Sequence, residues 1–330
     1  MICMSLKEIA KLTGVSVSTV SRVLSGKDPK FASQHVRDRI WETARGLQYV
    51  PNQAARVLQG KHESREPYQI LVAISPIRDT YNNDFFHMLV QAVSEQTARS
   101  GCMLGKMAYV DEFLDPQPEQ GKTAGVVVMG RCEPAMLHRL NDLYPYIACV
   151  GLNPFPKEMD QVLCDGKLAA EMAVEHLLGQ GYTRIGYMGE CVNEIRYRGY
   201  RETLQKHGIA IERGLIFETS QSEQGGAQAA QQVLKAEQPP TALFCANDAT
   251  AIGLLKALRW ARPDAAIPAM ISIDNIEKAQ RVEHALTTIH IPVDQMGAMT
   301  VKVLLDRMQG GHSSPLRVEF PGSIVRRKSS

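Results

Sequence analysis

At 330 residues, with 44 % hydrophobic and 22 % charged residues, the chain is too long for one ordinary core and too apolar for disorder, so it suits two or three globular domains. The net charge of +2 hides an asymmetry: residues 1–66 hold 11 Lys and Arg against 6 Asp and Glu, a net of +5, and the rest carries −3. A basic head on a weakly acidic body is the layout of a phosphate-binding module joined to a separate receptor.

In chain order, Ser5 and Glu8 make a capping box, and Ile9, Ala10 and Leu12 give a short amphipathic helix ending at Thr13-Gly14. Gly14 can take the positive φ of a tight turn, and Ser16 can cap a second helix over 17–24. On it Val20, Val23 and Leu24 pack inward. Val17, Ser18, Ser21 and Arg22 face out, small enough apart from Arg22 to enter a major groove, where Arg22 can reach guanine O6 and N7. The pattern also suits a plain αα-hairpin, and the next forty residues decide. Ser33 can cap a third helix over 34–47 whose inner stripe is Val36, Ile40, Ala44 and Leu47. Pro51, Asn52 and Gly60 then bound a two-turn helix that is marginal alone. Residues 61–67 are polar, end in Pro67 and read as a linker.

Two long motifs, Gly14-Val15-Ser16-x-x-Thr19-Val20-Ser21-Arg22-Val23-Leu24 and Tyr49-Val50-Pro51-Asn52-x-Ala54-Ala55-x-x-Leu58-x-Gly60, resemble the headpiece of the LacI/GalR-type family of bacterial transcription regulators. The resemblance implies a helix-turn-helix domain over 1–51, a hinge helix and linker over 52–67, and a homodimer on pseudo-palindromic operator DNA. It implies that Val17, Ser18 and Arg22 choose bases, that Thr19, Ser21, Ser33 and Asn52 contact phosphate or sugar, and that Ser16 and Ala55 join the DNA-facing set. Leu58 is then the wedge that kinks the central minor-groove step. The Phe31-Ala32 pair and Val36, where the family often carries threonine, depart from its pattern.

From 68 onward strand-like runs alternate with helical ones: strands at 70–75, 102–109, 125–129, 146–150, 184–188, 241–245 and 270–273, with helices at 86–99, 169–178, 197–206, 224–236 and 249–261. Alternation predicts parallel sheets with crossover helices, and two such units in tandem predict two lobes about a cleft. The fold class is therefore a small all-α head on an α/β bilobed body over 68–330. The resemblance adds a periplasmic-binding-protein-like chain path, with lobe one about 68–163 and 291–321 and lobe two about 164–290 and 322–330. Without leucine heptads at the C-terminus, a coiled-coil tetramer is not expected.

Ligands of open α/β sheets gather beyond the carboxyl ends of strands, which selects Ser75, 151–153, Arg196, Asn247-Asp248 and Asp274-Asn275. Guanidinium, carboxylate and carboxamide together suit a polyol. The family's effector motifs match Arg196, Asn247 and Asp274, with Ser75 beside them, whereas Asp248 reads as the cap of the helix from Ala249. Ile291, Val293, Gly151 and Gln221 replace polar, aromatic and acidic ligand contacts that the family can carry there. The Pro-rich span over 110–124 resembles the evolved β-galactosidase operon subgroup, which implies a galactoside effector.

No apolar run reaches membrane-span length, and Lys7, Glu8 and Lys11 occupy the place of a signal peptide's apolar core, so a cytoplasmic protein is expected. Seven scattered cysteines without Cys-x-x-Cys read as small hydrophobes of a reducing compartment. Gly121-Lys122-Thr123 lacks the leading Gly of a phosphate loop, Pro116 standing in its place. No G-x-S-x-G, H-E-x-x-H or metal-spaced histidine pair occurs, so neither an enzyme, a cofactor nor a metal is expected. The sequence thus predicts a repressor of a sugar-utilisation operon answering to a small sugar or sugar-phosphate. A cytosolic sugar-binding protein or sugar enzyme without a DNA switch is the rival, and the sign of the effector stays open.

Overall fold

The computed structural model describes residues 6–25, 32–46, 68–75, 84–115 and 124–330, in two compact units that divide after Arg65. Ser5, the hinge segment with Asn52, Ala55 and Leu58, the linker, and the Gly121-Lys122-Thr123 stretch lie outside the described residues.

The first unit is three helices, α1 (Leu6–Thr13), α2 (Val17–Ser25) and α3 (Gln34–Gly46). Ile9, Ala10, Val20, Val23, Ile40 and Ala44 form its core. Gly14 takes φ +64 in the α1–α2 turn, and the Ser16 hydroxyl accepts from Thr19 N at 3.1 Å, so the turn and cap form as their residue types dictate. One expectation fails: Leu12 is 64 % exposed. Ile9 and Thr13 stand four residues apart on one face, and Thr13 is buried because its hydroxyl donates to Ile9 O at 2.6 Å; Leu12 projects elsewhere.

The second unit holds two six-stranded sheets. With β1 (Gln69–Ile74), β2 (Met103–Tyr109), β3 (Ala124–Met129), β4 (Ile147–Gly151), β5 (Asp160–Cys164) and β11 (Arg317–Phe320), the first runs β11-β5-β4-β3-β1-β2, all parallel. With β6 (Ile185–Gly189), β7 (Ile216–Glu218), β8 (Ala242–Cys245), β9 (Ala269–Asp274), β10 (Thr287–His290) and β12 (Ser323–Val325), the second runs β12-β10-β9-β8-β6-β7, parallel except for β12. Crossover helices are α4 (Asp84–Arg99), α5 (Pro134–Leu143), α6 (Gly166–Gly179), α7 (Ile195–Lys206), α8 (Glu223–Lys235), α9 (Asp248–Ala261), the short α10 (Glu277–Arg281) and α11 (Val293–Met308). Only a short 3-10 turn, Val110–Phe113, follows β2 before the undescribed span. The chain passes between sheets after β5, β10 and β11, so α11 packs on the first sheet although it follows the second in sequence.

Strands β3, β4 and β5 are buried at every position, as befits parallel strands covered on both faces. The described cysteines are unpaired, and Cys149, Cys164 and Cys245 lie buried in strands with burial pushing their thiol pKa values up. No helix among the described residues is long and apolar enough to cross a membrane.

Candidate functional site

A cleft of about 740 Å³, counting its open mouth, lies between the two sheets. Carboxyl ends of strands supply its walls: Ser75 after β1, Arg131 after β3, Gly151 and Asn153 from β4, Glu190 after β6, Gln221 after β7, Asn247 after β8 and Asp274 at the end of β9. Ser75, Arg196, Asn247 and Asp274, scattered over two hundred residues of sequence, all line it.

Their remaining bonding capacity differs. Ser75 Oγ donates to the Arg131 carbonyl at 2.6 Å and so positions the chain that carries Arg131. Asn247 caps α9: its Oδ1 accepts from Thr250 N at 2.9 Å and Thr250 Oγ1 at 2.7 Å, and Nδ2 donates to Gln221 O at 3.0 Å. That corrects the role read for Asp248, which is the first helical residue and not the cap. Asp248 accepts from Ser272 Oγ, from Thr288 Oγ1 at 2.7 Å and from Ile276 N at 2.8 Å, joining α9 to β9 and β10. The helix begins one residue earlier than the sequence pattern placed it.

Arg196 is buried at the start of α7 and grips the carboxylate of its own N-cap, Glu194, through Nε at 2.7 Å and Nη2 at 2.9 Å. Nη1 donates to Ala246 O at 2.9 Å, and Nη2 also reaches Gln221 Oε1. Burial alone would raise the Glu194 pKa, but the Arg196 charge and hydrogen bonds hold it down to about 2. From the other lobe, Arg131 pairs with Glu190, approaches Glu194 at 3.5 Å, and donates Nη1 to the carbonyls of Val192 and Asn193 at 3.3 Å each. A second interlobe ion pair joins Lys278 to Asp84 at 3.0 Å.

Asp274 is the exception. Its residue is 4 % exposed, it lines the cleft, and it accepts no hydrogen bond from the described residues. Burial, with the charge of Asp248 second, pushes its pKa well above the usual carboxylate range against the pull of Arg196. Asp274 and Asn275 have φ of 121° and 61°, a left-handed pair rare outside glycine. Ile276 N bonded to Asp248 and Asn275 N bonded to Thr288 Oγ1 at 3.3 Å anchor that turn. It places at the cleft an acceptor that no described residue hydrogen-bonds.

Sequence reasoning missed Arg131, Glu190, Glu194 and the Phe85-Phe86 pair, all of which line the cleft. The strand-end rule that selected Ser75 also reaches Arg131 and Glu190 when applied to β3 and β6. The phenyl rings meet edge to face at 5.5 Å, and Phe86 packs so close to Gly130 that a Cβ there would lie 2.8 Å from its ring.

In the head, Ser16, Val17, Ser18 and Arg22 are exposed and Thr19 and Ser21 half-buried along α2; Ser33 is exposed just before α3. The first three hydroxyls in α2's opening turn bond one another, Ser16 Oγ lying 2.7 Å from Ser18 Oγ and 2.8 Å from Thr19 Oγ1.

A trihelical head joined to a two-lobed body whose cleft collects strand ends defines a helix-turn-helix protein with a periplasmic-binding-protein-like receptor. The model of bacterial regulatory proteins of the lacI family matches residues 5–52, and that of a periplasmic binding protein-like domain matches residues 174–330. The HTH-type transcriptional repressor CytR of Escherichia coli (strain K12) is 31 % identical over 325 residues, covering 93 % of this chain and 91 % of CytR. The chain belongs to the LacI family and is a DNA-binding transcriptional regulator. Among solved structures, the transcriptional regulator CelR in complex with cellobiose aligns with a TM-score of 0.71 at 22 % identity, covering 99 % of this chain and all of CelR's. The lac repressor dimer bound to operator and the anti-inducer ONPF aligns with a TM-score of 0.65 at 22 % identity, covering 99 % and 98 %.

Proposed function

We propose that the chain is a homodimeric repressor that binds a pseudo-palindromic operator and whose operator affinity is changed by a small sugar-like effector held between the lobes. It acts as a regulator and not as an enzyme. The single observation that carries the effector reading is Asp274: a carboxyl on a residue only 4 % exposed that lines the cleft, accepts no hydrogen bond from the described residues and is held by a rare backbone turn. Burying such an acceptor costs free energy that a ligand hydroxyl recovers. Cellobiose in the CelR structure and the operator in the lac repressor structure support the two halves of this reading.

Val17, Ser18 and Arg22 are assigned to base edges, and Ser16, Thr19, Ser21 and Ser33 to phosphate and register. Asn52, Ala55 and Leu58 retain the hinge role implied by their motif. Effector contacts are assigned to Asp274 first, then to the remaining N–H of Asn247; Arg196 and Ser75 act by positioning Glu194 and Arg131. The test is fluorescence anisotropy on DNA from the chain's own upstream region, with and without a panel of neutral sugars. One sugar is expected to change operator affinity, and Asp274→Ala to lose that response while keeping DNA binding. Absence of salt-sensitive binding to any such duplex would overturn the DNA half, and an Asp274→Ala protein with an intact sugar response the effector half.

A further inference from the structure

Among the described residues the cleft contains two guanidiniums, and both are already engaged by carboxylates. Arg196 holds Glu194 in a two-point pair, and Arg131 meets Glu190, Glu194 and two carbonyls of the loop between them. Asp274 is a third acid, so ionised it leaves the set with one excess negative charge and protonated with none. The N-termini of α7, α8 and α9, another common kind of seat for an anion, are capped by side chains as well. Glu194 accepts from Arg196 N at 3.1 Å at the start of α7, Ser222 Oγ from Gly225 N at 3.0 Å at α8, and Asn247 from Thr250 N at 2.9 Å at α9.

We propose that Glu194 and Glu190 are specificity determinants that close the cleft to phosphorylated effectors and leave it to uncharged, hydroxyl-bearing ones. This rests on reading the cleft as the effector site and names the class of ligand that the site admits. A phosphate could take more than the one remaining Nη1 N–H of Arg196 only by pulling the guanidinium off Glu194, whose side chain is 1 % exposed, leaving a buried carboxylate without its partner. A phosphate approaching Arg131 meets Glu190 and Glu194 at the same nitrogens. A hydroxyl needs neither cation, because Asp274 accepts directly.

The experiment uses the full chain in thermal-shift and calorimetric titrations with D-ribose and ribose 5-phosphate, D-galactose and galactose 6-phosphate, and inorganic phosphate alone. Variants are Glu194→Gln, Glu190→Gln and Glu190→Gln with Arg131→Gln. The Glu190 side chain is 26 % exposed, so its variant tests the proposal even where the buried Glu194→Gln fails to fold. Anions on the basic head contribute equally to all proteins, and the differences between variants report the cleft.

The wild-type cleft is expected to take no anion, while the Gln variants gain phosphate or sugar-phosphate affinity by at least about tenfold, a change of about 1.4 kcal/mol, which the added Arg131→Gln removes. A sugar phosphate that binds the wild type as tightly as its neutral parent overturns the proposal, and so do Gln variants that gain nothing. Failure of the effector reading shows separately, as indifference to every neutral sugar, and the inorganic phosphate titrations then decide the proposal alone.

Discussion

Replacing Asp274 by Asn isolates the cost of keeping this carboxyl empty-handed. Asp274 lies near Asp248, whose pKa burial raises to about 6 against hydrogen bonds from Ser272, Thr288 and Ile276; Asp274 itself is pushed well above the ordinary range by burial and by Asp248. For an acid whose folded pKa exceeds its unfolded one, the folded state binds more protons between the two values. Stability is therefore full near pH 4 and falls as pH rises through the folded pKa values. Asp274→Asn would remove this residue's own share and its repulsion of Asp248 while keeping some cost for a buried amide. We expect the ligand-free variant to gain about 1–3 kcal/mol at alkaline pH, the cost of a buried group left unsatisfied, or roughly 2–4 °C per kcal/mol for a unit of this size, and the fall of stability as pH rises above the usual carboxylate range to flatten. Thermal melts followed by circular dichroism across that range measure both. A variant that melts at or below the wild type at alkaline pH with an unchanged slope would show that Arg196 already neutralises Asp274, and the reasoning fails.

Effector binding that ionises Asp274 releases a proton, so affinity for a neutral sugar should rise with pH above the usual carboxylate range; calorimetry in buffers of different ionisation enthalpy counts the proton. Arg131→Ala removes the Arg131 half of the interlobe clasp but leaves Lys278 on Asp84 and Glu194 paired with Arg196, so we expect a shift toward open lobes of about 1–2 kcal/mol, visible as a larger radius of gyration in solution scattering. Gly253→Ala should destabilise by the upper end of about 1–3 kcal/mol in urea unfolding, because its Cβ would lie 1.9 Å from Glu223 O where α8 crosses α9; a neutral effect would mean the two helices separate at little cost. Arg22→Ala should lower specific operator affinity by about 1–3 kcal/mol and relax one base position, whereas equal losses on specific and random DNA would make it a phosphate contact.

Local signals were the legible ones. Gly14 and Ser16 fix the turn of the head because positive φ and an N-cap are properties of single residues, and the apolar runs of β1, β3 and β8 identify strands without reference to anything distant. Element boundaries exposed the limit. A helix start displaced by one residue, from Ala249 to Asp248, exchanges the roles of Asn247 and Asp248, one becoming the cap and the other a buried tie to β9 and β10. Leu12 failed for a similar reason, since a six-residue apolar pattern does not fix which side of a short helix meets the core. Arg131 and Glu190 are 59 positions apart and belong to different sheets. Strand ends can be ordered along the sequence, but which of them face each other follows from three chain crossings that bring α11 and β11 back to the first sheet.

The clasp also bounds what the switch can do. Arg131 with the 190–194 loop, and Lys278 with Asp84, already bridge the lobes without a ligand. An effector therefore acts through the difference between its contacts in two lobe arrangements and not by bringing the lobes together. A swing from 1:99 to 99:1 requires about 5.5 kcal/mol of differential binding. The contacts assigned to the effector are the Asp274 carboxyl and one N–H of Asn247, and a net hydrogen bond contributes about 0.5–1.5 kcal/mol, or about 1.5–3 to a charged group. Two or three such contacts, one of them to the carboxyl, amount to about 2–6 kcal/mol if every one were lost in the second arrangement, which reaches a full swing only at its upper end. Over most of that range the unliganded equilibrium sits close to balance, so that weakening the clasp alone, as in Arg131→Ala, should move operator affinity in the absence of any sugar; an Arg131→Ala protein with wild-type operator affinity would place the bistable element elsewhere in the fold.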